Sequence, residues 1–133
     1  MKSYLLINCE DFEIRYDNVD DENITLCWIL KKTNKYQGIY IFNNFVEFLK
    51  GKNFKYIRAY CSNGITIYDH KIIQLNGYYT LLKWKFIPSK GINFINKTLK
   101  TNYKDFDEMY NDKTFWNRWK TFGKDFYAIY KIL

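Results

Sequence analysis

His70 is the only histidine in the chain of 133 residues, so acid–base chemistry carried by an imidazole must run through it. Two groups near it in sequence invite such a scheme. Asp69 is its neighbour, but adjacent residues of a strand point to opposite faces, so this carboxylate cannot orient the ring. Cys61 offers a thiol. In the hairpin register derived below it lies opposite Thr66, four residues from His70, which at roughly 3.3 Å per residue is about 13 Å and beyond hydrogen-bond reach. A metal-independent nuclease would draw on His70, Lys83 and Tyr68. Cys9, Cys27 and Cys61 contain no CxxC pair, and with one histidine no Cys/His zinc cluster can form. There is no Gly-rich dinucleotide loop, Walker-type loop or GxSxG elbow. These residues point to a non-enzymatic protein that uses neither metal nor cofactor.

Two surface chemistries take the place of catalysis. The first is acidic: Glu10, Asp11, Asp17, Asp20, Asp21 and Glu22 crowd the N-terminal part. Residues 1–28 sum to −5 in a chain whose net charge is +7, so the other residues carry +12. Such a segment suits a basic partner protein, for instance a toxin or nuclease whose nucleic-acid groove it would complement. The second is basic and aromatic. Lys55, Tyr68, His70, Tyr79, Lys83 and Lys85 share one face of the expected sheet, a surface on which RNA or single-stranded DNA stacks bases and lays phosphates. The charge alone weighs little, because 18 Lys against 3 Arg, with 14 Asn and 16 Ile, is the bias of an AT-rich accessory gene or mobile element. A nucleic-acid surface often favours arginine, whose planar fork reads phosphates and bases bidentately.

The elements that must position these groups follow from periodicity and punctuation. The spacing predicts an α+β fold, largely antiparallel, in a single domain over residues 1–133. Ser3–Cys9, Phe12–Tyr16 and Ile24–Lys31 have strand composition, with a polar acidic loop before the third. Gly38–Phe42 is expected as a short buried strand. Asn43 or Asn44 then caps a short helix near 44–50, closed by Gly51 in a left-handed C-terminal cap. Asn63-Gly64 and Asn76-Gly77 are two-residue type I′ turn signals. Together they predict a three-stranded meander at about 54–62, 65–75 and 78–87.

Counting outward from those turns pairs Arg58 with Asp69 and Asp69 with Trp84, either a structural bridge or a polar pair in a ligand pocket. The same count puts Tyr56, Arg58 and Tyr60 on the core side, with Ile57, Ala59 and Cys61 opposite. After Pro88 the pattern turns helical, first with Ile92, Ile95 and Leu99 on one side. A second run at about Tyr103–Tyr110 has Asp105, Asp107 and Glu108 in its first turns. Thr114–Phe122 is expected as a helix stopped by Gly123, followed by a strand over Asp125–Leu133. Phe115, Trp119 and Phe122 would face the core, and Trp116 would lie off the stripe, available to a partner. One continuous helix is the alternative.

No apolar run is long enough to span a membrane, and no signal-peptide h-region is visible. The expectation is a cytoplasmic binding protein of the inhibitor or immunity type. It would act by covering a partner's active surface with rings that supply large contact area and few rotatable bonds. Nucleic-acid binding is the alternative.

Overall fold

A computed structural model describes residues 4–68 and 70–132, apart from the side chains of Tyr4 and Tyr68. The fold is α+β, and the chain divides into two compact units, 1–59 with 129–133, and 60–128.

In the first unit, β1 (Tyr4–Asn8), β2 (Phe12–Asn18) and β3 (Asn23–Lys31) form an antiparallel run. Alternation decides what is buried: Ile14 and Tyr16 of β2 and Ile24 and Leu26 of β3 point inward. The register shifts between Arg15 and Tyr16, a bulge that accommodates Cys27. Next comes α1 (Gly38–Gly51), and then β4 (Tyr56–Cys61), which runs parallel to β3 with Ile24 opposite Ile57 and Leu26 opposite Ala59. Ile57 and Ala59 therefore share the buried face of their partners. Arg58 is exposed and Tyr56 half-buried, which reverses the side assigned from the turn count.

The expected strand Gly38–Phe42 is the start of α1. Ile41, Phe42, Phe45, Val46 and Leu49 make one continuous buried stripe at helical spacing, so residues 41 and 42 belong to the same face as 45, 46 and 49. Tyr16 meets Phe45 edge-on at 5.2 Å, and Phe42 meets Tyr130 at 5.1 Å. Asn44 does not cap; its Nδ2 donates to Tyr40 O inside the helix. The left-handed residue at the C-terminal end is Asn53 (φ 67), not Gly51. Phe54 N donates to Leu49 O and Asn53 N to Lys50 O, closing the end as a Schellman motif does.

The second unit differs more from what the sequence predicts. β5 (Asn63–Tyr68) and β6 (Lys71–Asn76) form a separate two-stranded sheet, and α2 (Gly77–Lys83) follows directly. The expected meander is absent. Asn63 and Asn76 are paired across the ladder, and the chain reverses between Tyr68 and Lys71, inside the expected middle strand. His70 sits there at φ 61, a conformation histidine tolerates better than most residues. Neither Gly64 nor Gly77 has positive φ, so neither Asn-Gly pair forms a type I′ turn. Asn63 is used instead as a tie: its backbone N donates to Asp125 Oδ1 and its Nδ2 to Gly123 O. After Asn76, buried Tyr78 and Leu82 are four residues apart, one helical face where a strand was expected.

β7 (Ile87–Pro88), α3 (Ile92–Leu99), α4 (Phe106–Asn111) and α5 (Phe115–Phe122) complete this unit, and β8 (Phe126–Lys131) begins in it. α3 opens at Gly91 with φ 78. Asp105 caps α4 by accepting from Glu108 N at 2.8 Å, and Glu108 Oε2 accepts from Lys104 N. The core is built on Trp119. Phe115 stacks on it at 6.0 Å, Phe94 and Phe126 meet it at 6.1 Å, and its Nε1 donates to Tyr78 O at 2.9 Å. The C-terminal stretch is the expected helix and strand, with Phe115 and Trp119 fully buried. Phe122 departs from expectation at 62% exposure, because the helix ends there and the chain turns away at Gly123. The six-stranded sheet has the order β1-β2-β3-β4-β8-β7.

Candidate binding surfaces

The acidic segment is not one patch. Glu10 and Asp11 lie in the β1–β2 turn and Asp20, Asp21 and Glu22 in the β2–β3 turn, so the length of β2, roughly 20 Å, separates them. Several of these carboxylates are occupied by the fold. Asp20 Oδ1 accepts from Glu22 N and from Asn23 N and Nδ2. The Asn23 side chain, then the Glu22 amide, hold its pKa below the usual carboxylate range. Asp11 accepts from Thr33 Oγ1, Asp17 from the Cys27 thiol, and Glu22 pairs with Lys55 at 3.0 Å.

Beside Asp17, β2 and β3 carry a cluster that the sequence did not single out. Trp28 Nε1 donates to Glu13 Oε2 at 2.8 Å, and the Arg15 guanidinium lies 4.8 Å from the Trp28 ring centre. Its only sequence signal was the alternation of Glu13, Arg15 and Asp17 with buried residues.

The basic, tyrosine-bearing sheet face does not exist as a sheet face. Lys55 belongs to the first unit, in its bridge to Glu22. His70 is exposed in the β5–β6 turn, and the Tyr68 side chain lies outside the described residues. Tyr79, Lys83 and Lys85, however, come together in the second unit on and just after α2. There they meet two rings that had not been linked with them. Tyr79 packs on Trp116 at 5.2 Å, and Trp116 on Tyr110 at 6.0 Å. Lys83 Nζ lies 5.6 Å from the Tyr79 ring centre and 5.9 Å from that of Trp116; Lys85 Nζ lies 3.5 Å over Tyr110. Tyr110 is held by its hydroxyl, which donates to Leu82 O, and burial pushes its pKa up to about 12. Trp116 is thus half-buried and engaged with neighbouring rings.

The third surface is the face of the β5–β6 hairpin that carries Ile65, Ile67, Ile72 and Gln74. Ile67 is opposite Ile72 and Ile65 opposite Gln74, so these four share a side. The isoleucines are 68%, 73% and 77% exposed. Sequence alone concealed this, because the isoleucines were split between the two faces of an incorrect register.

Arg58 stands opposite Thr25 on β3, and Asp69, its expected partner, lies outside the described residues. Burial, then the nearby Asp125 charge, pushes the Cys61 thiol up to about 12, so it stays protonated at neutral pH. Among the described residues no group of three or more His, Cys, Asp or Glu is arranged to hold a metal ion. No helix among them is long and apolar enough to cross a membrane. The chain matches no family model, no curated protein and no solved structure.

Proposed function

We infer that this chain is a non-enzymatic binding protein of the inhibitor or immunity type that engages a partner protein through the β5–β6 hairpin. The observation that carries this reading is the exposed triad Ile65, Ile67 and Ile72 on one face of a hairpin with two six-residue strands. An aliphatic, uncharged face gains nothing from phosphates and is stabilised by burial against another apolar surface, at about 25 cal/mol per Å² removed from water. The hairpin also offers a backbone. Its two strands pair with each other and with no third strand among the described residues, and neither contains a proline. The occupant that fits is a protein with an apolar groove bordered by an unpaired strand edge, onto which the hairpin adds by main-chain hydrogen bonds. A preformed hairpin seated in such a groove covers it, which is inhibition by occlusion. The acidic turns, being apart, are not needed for it.

The test is purification of the native chain from its own cells beside I65T/I67T/I72T, with the oligomeric state of both measured by sedimentation. A protein that co-purifies in stoichiometric amount with the native chain and is lost at least about tenfold in the variant supports the reading; the arithmetic of a buried apolar triad predicts a loss of that order. Equal recovery in both overturns it. So does a native dimer that dissociates in the variant, since the hairpin would then bind a second copy.

A further inference from the structure

Of the +7 carried by the whole chain, the second unit holds most: eleven Lys and Arg stand against six Asp and Glu in residues 60–128. Among the described residues, however, the one ion pair is Lys55–Glu22 in the first unit. Among the described residues no Lys or Arg of the second unit forms an ion pair with one of its carboxylates. Two of them, Lys83 and Lys85, are exposed and rest on a strip of three half-buried rings, Tyr79, Trp116 and Tyr110. The ring centres are 5.2 and 6.0 Å apart, so the strip is at most about 11 Å long, room for two or three nucleotides at roughly 3.4 Å each along one strand.

The backbone also fixes where Lys85 leaves the helix. It follows α2 at φ 78, with its N donating to Leu82 O and Phe86 N donating to Leu81 O. This is the left-handed position of a Schellman close, where glycine is the unstrained choice. A lysine there is held in a sparsely populated conformation while its ammonium is placed 3.5 Å over Tyr110. Glycine would be the less strained residue here, as it would at Lys100, which closes α3 at φ 58.

We propose that the strip Tyr79–Trp116–Tyr110, with Lys83 and Lys85, is a binding site for single-stranded nucleic acid. Bases stack on the rings as the lysine ammoniums swing off them to the phosphates. Ring faces accept any base, and the two cations supply the backbone contacts, the combination that single-strand binding uses. Double helices are excluded because their bases are already stacked and cannot reach the rings. The site shares no residue with the hairpin face, and it neither needs nor contradicts the partner protein proposed for that face.

The experiment is fluorescence anisotropy with labelled oligo(dT) and oligo(rU) of about 15 nucleotides, a length within the span of small single-strand sites, and with a duplex of the same length, over a salt series. The native chain should bind a single strand more tightly than the duplex, with affinity falling as salt rises. K83Q/K85Q should weaken binding at least about tenfold. K97Q/K104Q, which removes two charges elsewhere in the same unit, should change it less than about threefold. K85G separates binding from folding: its thermal midpoint should equal or exceed that of the native chain while its affinity falls. Preference for rU over dT assigns the ligand to RNA, and equal affinity shows that the sugar is not read; both support the site. No binding by the native chain overturns the proposal, as does tighter binding of the duplex. Equal losses in the two double variants overturn it too, because binding would then be diffuse attraction to a basic protein.

Discussion

At the residue scale, the ionisable groups with clear shifts serve the fold. Asp112 accepts from the Tyr103 hydroxyl at 2.6 Å and from Thr114 N and Oγ1, each at 2.9 Å. The Tyr103 bond first, then the two from Thr114, lowers its pKa. A carboxyl depressed in the folded state stabilises it above the unfolded value, about 3.9, and loses that contribution as pH falls through the folded value. Asp112→Asn keeps an acceptor and removes the charge. Its melting midpoint should lie below that of the native chain at neutral pH, and the gap should close below about pH 4. A gap that stays constant into acid would show that the charge of Asp112 is not what stabilises this loop. The partner, Tyr103, is pushed up to about 12, by burial first and then by its hydrogen bond to Asp112.

At the element scale, the α5–β8 junction is decided by one close approach. A Cβ on Gly123 would lie 2.4 Å from Trp119 O and 2.8 Å from Tyr78 Cδ2, although its backbone (φ −62, ψ 153) is open to any residue. Gly123→Ala should therefore destabilise by about 2 kcal/mol or more through overpacking. Gly51→Ala, at the end of α1 with open space around the new methyl, should stabilise by about 0.5–1 kcal/mol. Chemical denaturation of the two variants checks both signs, and a neutral Gly123→Ala would mean the Trp119 carbonyl yields. Gly123 was legible as a helix stop because it acts within a few residues, whereas Asp105, expected inside the first turns of its helix, is the cap before it. Gly38–Phe42 was not legible. The four β-prone residues after Gly38 fit a strand or a buried helix turn equally, and only the shared stripe with Phe45, Val46 and Leu49 decides between them.

At the scale of the whole molecule, the charge is the property most open to measurement. A chain at +7 with one exposed ion pair among its described residues repels itself in the folded state. Screening shortens the Debye length from about 30 Å at 0.01 M salt to about 10 Å at 0.1 M. The thermal midpoint should rise across that range and then level off. A falling midpoint would mean that attractive pairs outweigh the excess of lysine. The same excess explains why composition could not rank the functional readings: it shows how many cations there are and not which lie unneutralised beside rings.

The sequence by itself determined the α+β class, the N-terminal strands, the helix-then-strand ending and the burial of Phe115 and Trp119. All of these follow from local alternation, helical spacing and punctuation within one element. Tertiary structure alone decided what the two Asn-Gly pairs do. An Asn-Gly turn is a local preference of a few tenths to about 1 kcal/mol. Asn63 gains more from its bonds to Asp125 and Gly123, some sixty residues away, and Tyr78 and Leu82 gain more from helical burial. Once the turns moved, the register moved with them. Ile65, Ile67 and Ile72 came onto one exposed face, and Tyr79, Lys83 and Lys85 left the sheet for the rings of Tyr110 and Trp116. Residue types that can bind are visible in a sequence. Which of them share a surface depends on long-range pairing.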